Sequence, residues 1–437
     1  MYLLRKSHGV GVSTSIVSAI SHFYNLILVT DWVTVPFDAL AFVIILFLLD
    51  IETPKTPIGA GLKAIDWVGV LTITGGTIML LLGLEYGGVS FPWSSATVVC
   101  LIVFGFITIG LFFVNEWKFA KYPMIPLTIF KHRSNVASLA VCFIHGFVFI
   151  SGAYFYPLYF QAVLGANPIL SGVYLFPFVL SLSFVSIMGG VFIKKTGQYL
   201  PPIYLGVLFM TIGFGLFIDL PNGREWGRIF PFQIIAGIGI GPNFQAPLIA
   251  LQTNVPPRDV ATATATFGFV RNLATSISVV IGGVIFQNGM MKREGTLRAA
   301  LGPKLASQIG GGGAGSATGI VKNLPEPGRH IARGVYVDSL RTMWIFYVAI
   351  SACALVAAAF IGKKKLTTTH EVQKTGLAEE EKNRQARKAE HDAKRESKRV
   401  SRQSVDAEKR ISGLRNRDAG RSTPDATNEK VIGDDNV

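Results

Sequence analysis

Six apolar runs fill the stretch from about residue 135 to 362, spaced by short polar loops and rich in Gly, Phe and Leu. Each approaches or exceeds the roughly 20 residues that cross about 30 Å of hydrocarbon, where every backbone polar group must be bonded within a helix. Such a chain folds as an all-α, polytopic transmembrane bundle, and a soluble function is excluded. The balance of residue types agrees, with 50% hydrophobic and only 16% charged, against roughly 25% charged in soluble domains.

Over all 437 residues about nine runs stand out: 33–49, 67–85, 96–114, 135–160, 171–193, 202–220, 228–250, 263–286 and 342–362. Residues 1–32 are apolar only in patches, interrupted by Ser13, Ser15, Ser18, Ser21, His22 and Asn25, and carry no secretory leader pattern. Basic residues near helix ends set orientation. Lys131, His132 and Arg133 precede the fourth run, Lys194 and Lys195 follow the fifth, and Lys363, Lys364 and Lys365 follow the last. These ends are expected to be cytoplasmic, with the Gly-rich stretch 309–319 in a long external loop.

The net charge of +14 sits in loops and in the tail beyond residue 362, so it reads as topology and solubility rather than nucleic-acid binding. In that tail Glu380 with Arg384, and Glu390 with Lys394, are spaced to pair along a helix over 378–400. Lys398-Arg399-Val400-Ser401 recurs as Lys409-Arg410-Ile411-Ser412 and resembles basophilic kinase sites, in a tail otherwise expected to be solvated and largely disordered. Cys100, Cys142 and Cys353 all fall in apolar runs, with neither a disulfide framework nor metal-ligand spacing. No paired nucleophile and base occurs, so no catalytic residue, cofactor or metal is expected and the chain does not read as an enzyme. Gly237 and Gly241 form a small-xxx-small pair suited to close helix approach rather than a dinucleotide-binding turn.

Polar residues inside the apolar runs carry more information. Thr264, Gly268, Arg271, Thr275, Ser278 and Gly282 step by four, three, four, three and four, which places them on one helix face. A charge such as Arg271 costs about 2.5–3.5 kcal/mol at a helix centre. It must therefore face either carbonyls of a neighbouring helix, as a lock, or a substrate or ion. Ser138, Cys142, His145, Phe149, Gly152, Tyr156 and Tyr159 form a second stripe suited to a cavity. His145 is either a proton carrier or a fixed hydrogen-bonding group. Asn243, Gln245 and Gln252 lie beside Pro242 and Pro247, which should bend their helix and free carbonyls, as in transport pathways.

Several stretches match a family together. They are Tyr122-Pro123-Met124-Ile125-Pro126-Leu127 with Phe130 to Arg133, Tyr159-Phe160-Gln161 with Leu164-Gly165 and Ser171-Gly172, Gly237 to Gln245 with Ala250 to Gln252, and Ala261 to Thr266 with Phe269, Arg271 and Phe286-Gln287-Asn288. On these the chain resembles, over roughly 36–362, the C-terminal part of the major facilitator superfamily, and within it the fourteen-helix drug:proton antiporters. Gly189-Gly190 to Lys194-Lys195-Thr196-Gly197 looks like the C-terminal copy of the family's cytoplasmic gating motif, with Lys in place of the usual acidic and Arg residues. Gly190, Lys194, Lys195 and Gly197 are its gating candidates.

The resemblance implies that 33–49 is the last helix of an N-terminal half, 67–114 two linker helices, 135–362 a six-helix C-terminal half and 363–437 a basic cytoplasmic tail. About five helices are then missing; Leu26 to Val35 separate Phe23-Tyr24-Asn25 from Pro36, which the family's pattern keeps together, and suggest an insertion such as a retained intron, with Met1 a secondary start. The implied function is proton-coupled export of amphipathic drugs, toxins or metabolites from a plasma or vacuolar membrane. Its pathway would be lined by Arg271, Gln245, His145, Tyr156, Asn243 and Gln252. Membrane lipid, protons, a small-molecule substrate and a partner supplying the other half are the expected partners. The alternative is a non-transporting scaffold or regulatory partner of a full-length transporter.

Overall fold

The computed structural model describes residues 58–364 apart from 88–90, 121–124, 126, 257–258, 311–313 and 316, together with scattered positions between 36 and 44 and between 381 and 397. The chain divides into two units, one of residues 1–57 with 374–437 and the other Ile58–Gln373. In the first, the described positions between 36 and 44 and between 381 and 397 are helical. The expectations for 1–32, most of 33–49, Tyr122 to Met124, Pro126, Lys365 and the Ser401 and Ser412 motifs lie outside the described residues.

In the second unit every element of the described residues is a helix. A short α1 (Ile58–Ala64) leads into α2 (Trp67–Tyr86), and α3 (Ala96–Lys118) packs back along α2. The hairpin is set by its caps: Asp66 Oδ1 accepts from Gly69 N at 2.9 Å, Ser95 Oγ accepts from Val98 N at 3.3 Å, and Asp66 Oδ2 also accepts from Asn115 Nδ2 at 2.7 Å. Gly76 and Gly105 let the two backbones meet, since a Cβ on Gly105 would lie 3.0 Å from Leu80 N.

Next come α4 (Arg133–Ala162), α5 (Pro168–Tyr174), α6 (Phe176–Thr196), α7 (Leu200–Leu216), α8 (Trp226–Ile240), α9 (Ala246–Gln252), α10 (Val260–Lys292), α11 (Glu294–Leu301), α12 (Pro303–Ile309), α13 (Thr318–Lys322) and α14 (Gly328–Ala359). Among the described residues eight helical spans are long and apolar enough to cross a membrane: α2, α3, α4, α6, α7 with the turn to Asp219, α8 through α9, α10 and α14. Of the nine expected runs, 33–49 falls largely outside the described residues.

Boundaries differ where hydropathy and helicity part company. The last helix begins at Gly328, not near 342. Its first half is amphipathic, burying Val335, Tyr336, Ser339 and Leu340 while exposing Arg341, so an apolar-run criterion passes over it. The run expected at 171–193 is two helices, because Pro177 has no N–H to continue α5 and instead sits in the first turn of α6. The stretch after α10 is not an open loop either. Its helices α11, α12 and α13 bury Leu297, Ala306, Ile309 and Val321 against the bundle.

Helix α4 is central, packed against α9, α10 and α14, while α8 lies between α6 and α7. The core between them is aromatic: Tyr156, Phe214, Phe217, Trp344 and Tyr347 are all nearly or fully buried. Close approach of α8 to both neighbours rests on glycine. A Cβ on Gly237 would meet Ser181 and the Phe178 carbonyl, one on Gly241 the Leu182 carbonyl, and one on Gly239 the Met210 backbone, so the expected small-xxx-small pair is the seam with α6.

The basic helix ends gather on one face. Gly362 N donates to Ser134 Oγ at 3.1 Å and Asn254 Nδ2 to the same oxygen at 3.2 Å. Tyr199 OH donates to Gly362 O at 2.6 Å, and Lys364 Nζ to Thr253 O at 2.7 Å. At the opposite end Tyr159 OH donates to Pro221 O and Tyr336 OH to Ala314 O. Ala314, in the Gly-rich stretch, thus lies away from the basic ends.

Replacing Gly239 with Val forces a side chain into the α7 backbone. Overpacking costs about 1–3 kcal/mol, and Gly239→Val is expected to lower the thermal unfolding midpoint in detergent. Gly190 meets nothing within 4 Å, so Gly190→Ala should leave the midpoint unchanged or raise it. Parallel melts of the two variants check the contrast.

Candidate functional site

The span from α8 to α9 does not run as one α-helix. It tightens into a 3-10 turn over Gly241–Phe244, in which Gln245 N bonds to Pro242 O, and Pro247 in the first turn of α9 brings no donor. Two carbonyls at this break take side-chain donors from other helices. His145 of α4 lies with Nε2 3.0 Å from Ile240 O, and Arg271 of α10 donates from Nη2 to Phe244 O at 2.7 Å. These two carbonyls lie at the break but are not the ones that Pro242 and Pro247 release by lacking an N–H in an α-helix, which are Ile238 O and Asn243 O.

Aromatic rings flank both side chains. The Arg271 guanidinium carbon stands 5.1 Å from the Phe244 ring centroid and 4.9 Å from that of Phe267, a cation–π geometry on both sides. His145 stacks with Phe149 at 6.3 Å and meets Phe244 edge-on at 4.8 Å. Because a carbonyl only accepts, Nε2 of His145 carries the hydrogen, which leaves Nδ1 of the neutral ring as an acceptor. That Nδ1 and Arg271 Nε are buried without a hydrogen-bond partner. Arg271 forms no ion pair among the described residues.

Gly146 makes the arrangement possible. A Cβ there would lie 3.1 Å from Arg271 Cγ and 3.2 Å from its carbonyl oxygen. Cys142, one turn earlier on α4, is buried beside Phe267 and donates weakly to its carbonyl at 3.5 Å.

The other sequence candidates are dispersed. Gln245 is exposed beside the break. Asn243 is buried on the far side, its Nδ2 on Gly239 O at 3.3 Å and against Gly206 of α7. Gln252 donates to Thr264 Oγ1 at 2.9 Å, tying α9 to α10. Tyr156 stands three turns beyond His145 on α4, within the aromatic cluster of Phe160, Phe217 and Trp344, with its hydroxyl unpartnered. Lys194 and Lys195 are exposed in the last turn of α6, and Gly197 caps it at φ 67°, a left-handed conformation that favours glycine. Gly190 is exposed in the same helix.

The two polar stripes also divide. Ser278 Oγ donates to Phe147 O, and Tyr347 OH to Ser278 O at 2.7 Å, while Gly282 admits the Tyr347 hydroxyl and the Phe155 ring. This half of the α10 stripe is a packing seam with α4 and α14. The α4 stripe, expected to face a cavity, is turned inward along most of its length: Ser138, Cys142, His145, Tyr156 and Tyr159 are all fully or nearly fully buried. Phe244 and Phe267, which sequence reasoning left out, complete the site. Phe244 adjoins the Pro-rich break, the one signal that pointed toward it.

Insertion of Arg271 costs about 2.5–3.5 kcal/mol, whereas leaving the Phe244 carbonyl unpartnered costs about 1–3 kcal/mol. The terms nearly cancel, so Arg271→Met is expected to keep or slightly raise the melting midpoint. Gly146→Val, which collides with the α10 backbone, should lower it. Detergent melts monitored by size-exclusion chromatography distinguish the two.

Comparison with known proteins gives the family. The Major Facilitator Superfamily profile matches residues 32–279. The MFS-type transporter ppz2 of Metarhizium majus is 50% identical over 367 residues, covering 84% of this chain and 63% of that protein. The efflux pump dotC of Dothistroma septosporum is 52% identical over 351 residues, 80% of this chain and 60% of the pump. An MFS-type transporter of Aspergillus terreus is 41% identical over 364 residues, 80% of this chain and 64% of that one. The chain thus spans about three fifths of the length of these relatives. With eight apolar spans and this match, the chain is a multi-pass integral membrane protein and belongs to the Major Facilitator Superfamily.

Proposed function

We propose that this chain is part of a secondary transporter that exports amphipathic small molecules by proton antiport, in a plasma or vacuolar membrane. The observation that carries the reading is the interrupted span α8–α9, whose Ile240 and Phe244 carbonyls hold a His and an Arg from two other membrane-spanning helices. Broken helices beside polar side chains are where transporters of this architecture bind cargo, near the midplane between two repeats. The names of the relatives, transporters and an efflux pump, support the same direction.

In this reading α4, α6, α7, α8 with α9, α10 and α14 form one six-helix half, and α2 with α3 a linker hairpin. Arg271, His145 and Gln245 line its side of the cargo site, with Tyr156 further along α4. Asn243 and Gln252 serve packing. The C-terminal end of α6 from Gly190 to its cap Gly197, with Lys194 and Lys195, gates the basic face, which is cytoplasmic. Alternating access needs a second half rocking against this one, supplied within a longer chain or by a partner. Residues beyond 362 form a basic cytoplasmic tail.

The test is efflux of a panel of fluorescent amphipathic dyes of either charge from cells expressing the 437 residues, beside a version extended to the length of the relatives. The extended form should lower dye accumulation several-fold, and a proton uncoupler should abolish the effect. Export that persists with the uncoupler would remove proton antiport. Export by the 437 residues alone would remove the requirement for a second half.

A further inference from the structure

We infer that the site around Arg271 takes an anionic aromatic compound, a carboxylate or phenolate on a planar ring system. The inference rests on the transport reading for its biological meaning but not for its physical basis.

Arg271 is a full positive charge on a membrane-spanning helix, with no ion pair among the described residues. Its partners are the Phe244 carbonyl, two ring faces and the neutral Cys142 thiol, which orient the guanidinium and leave its charge uncancelled. Nε remains buried and unbonded. A guanidinium presents five donors in a planar fork suited to a carboxylate, and only part of that fork is used. Phe244 stands against it, and Phe149 packs on Phe244 and on His145, whose Nδ1 is buried and free. An aromatic anion would meet the fork with its charge and these rings with its face.

A second group of positive charges, independent of the first, stands at the opposite end from the cytoplasmic lysines. Around the left-handed turn at Gly165, where α4 ends, three basic side chains converge. Arg224 Nη2 donates to Leu164 O at 3.2 Å, and a Cβ on Gly165 would lie 3.7 Å from Arg333 Nη2 and 3.8 Å from Lys322 Cγ. Arg333 Nε is buried and unbonded. The nearby carboxylate of Glu326 is taken by Arg329 Nε at 2.8 Å, and none of Arg224, Arg333 or Lys322 forms an ion pair among the described residues. Unpaired cations both inside the bundle and at its far mouth favour an anion along the route and disfavour a cation.

The experiment is ligand binding to the purified 437-residue chain in a nonionic detergent, using probes of one shape and three charges: 2-naphthoate, 2-naphthamide and 2-naphthyltrimethylammonium. Affinity is read from the shift of the thermal midpoint with probe concentration. A charge-assisted bond predicts naphthoate to bind about tenfold or more tightly than the amide, and the ammonium more weakly still. Arg271→Gln should erase the preference for naphthoate and Arg271→Lys should retain part of it. Equal or tighter binding of the ammonium, or of none of the three, overturns the inference, as does a naphthoate preference that survives in folded Arg271→Gln. The wild-type ranking stands even if a variant fails to fold. Dye efflux failing while naphthoate preference holds would sink the transport reading alone. Export of cationic dyes with no naphthoate preference would sink this inference alone.

Discussion

Everything in this molecule follows from the demand that backbone N–H and C=O groups find partners away from water. In hydrocarbon the α-helix meets that demand locally, which is why the described chain is helix after helix. The interesting place is where the rule is broken. At Gly241–Phe244 the helix tightens, and Ile240 O and Phe244 O are met instead by side chains of α4 and α10. The interruption recruits a histidine and an arginine, and their polar atoms bring unsatisfied donors and acceptors into the membrane interior.

That exchange would not be affordable without close packing around it. Lipid tails are as apolar as leucine, so helices in a bilayer associate through contact and hydrogen bonds rather than by hiding from water. Gly146, Gly237, Gly239 and Gly241 bring α4, α6, α7, α8 and α10 within backbone reach at the level of the break. Small residues and the polar break are thus two parts of one solution: the first lets helices come near enough that the second can be shared between them.

Much of this was legible in the residues. Apolar run length located the spans from Trp67 to α10, and the stepping of Thr264, Arg271 and Ser278 placed them on one face, as the contacts of α10 show. Pro242 and Pro247 announced an interruption of this helix. What could not be read was which side chains would meet the carbonyls there, because the donors lie 95 and 27 residues away in sequence and are chosen by tertiary packing. The same limit applies to α14, whose first turns are held by tyrosine and leucine contacts rather than by hydropathy, and to α11–α13, whose short mixed sequences become helical on a surface already built. The α4 stripe read as suited to a cavity, yet members such as Ser138, Cys142 and Tyr159 are buried in contacts with neighbouring elements.

The hydroxyl of Ser134 has a wider meaning than its two bonds. It joins the start of α4 to the segment after α9 and to the chain leaving α14, while Tyr199 fastens the start of α7 to that same segment. Four helix ends remote in sequence are clasped at one point. A body that must rock as a whole gains from such a clasp, because a displacement applied to one helix end is passed to the others as in a lever, with little lost to bending between them.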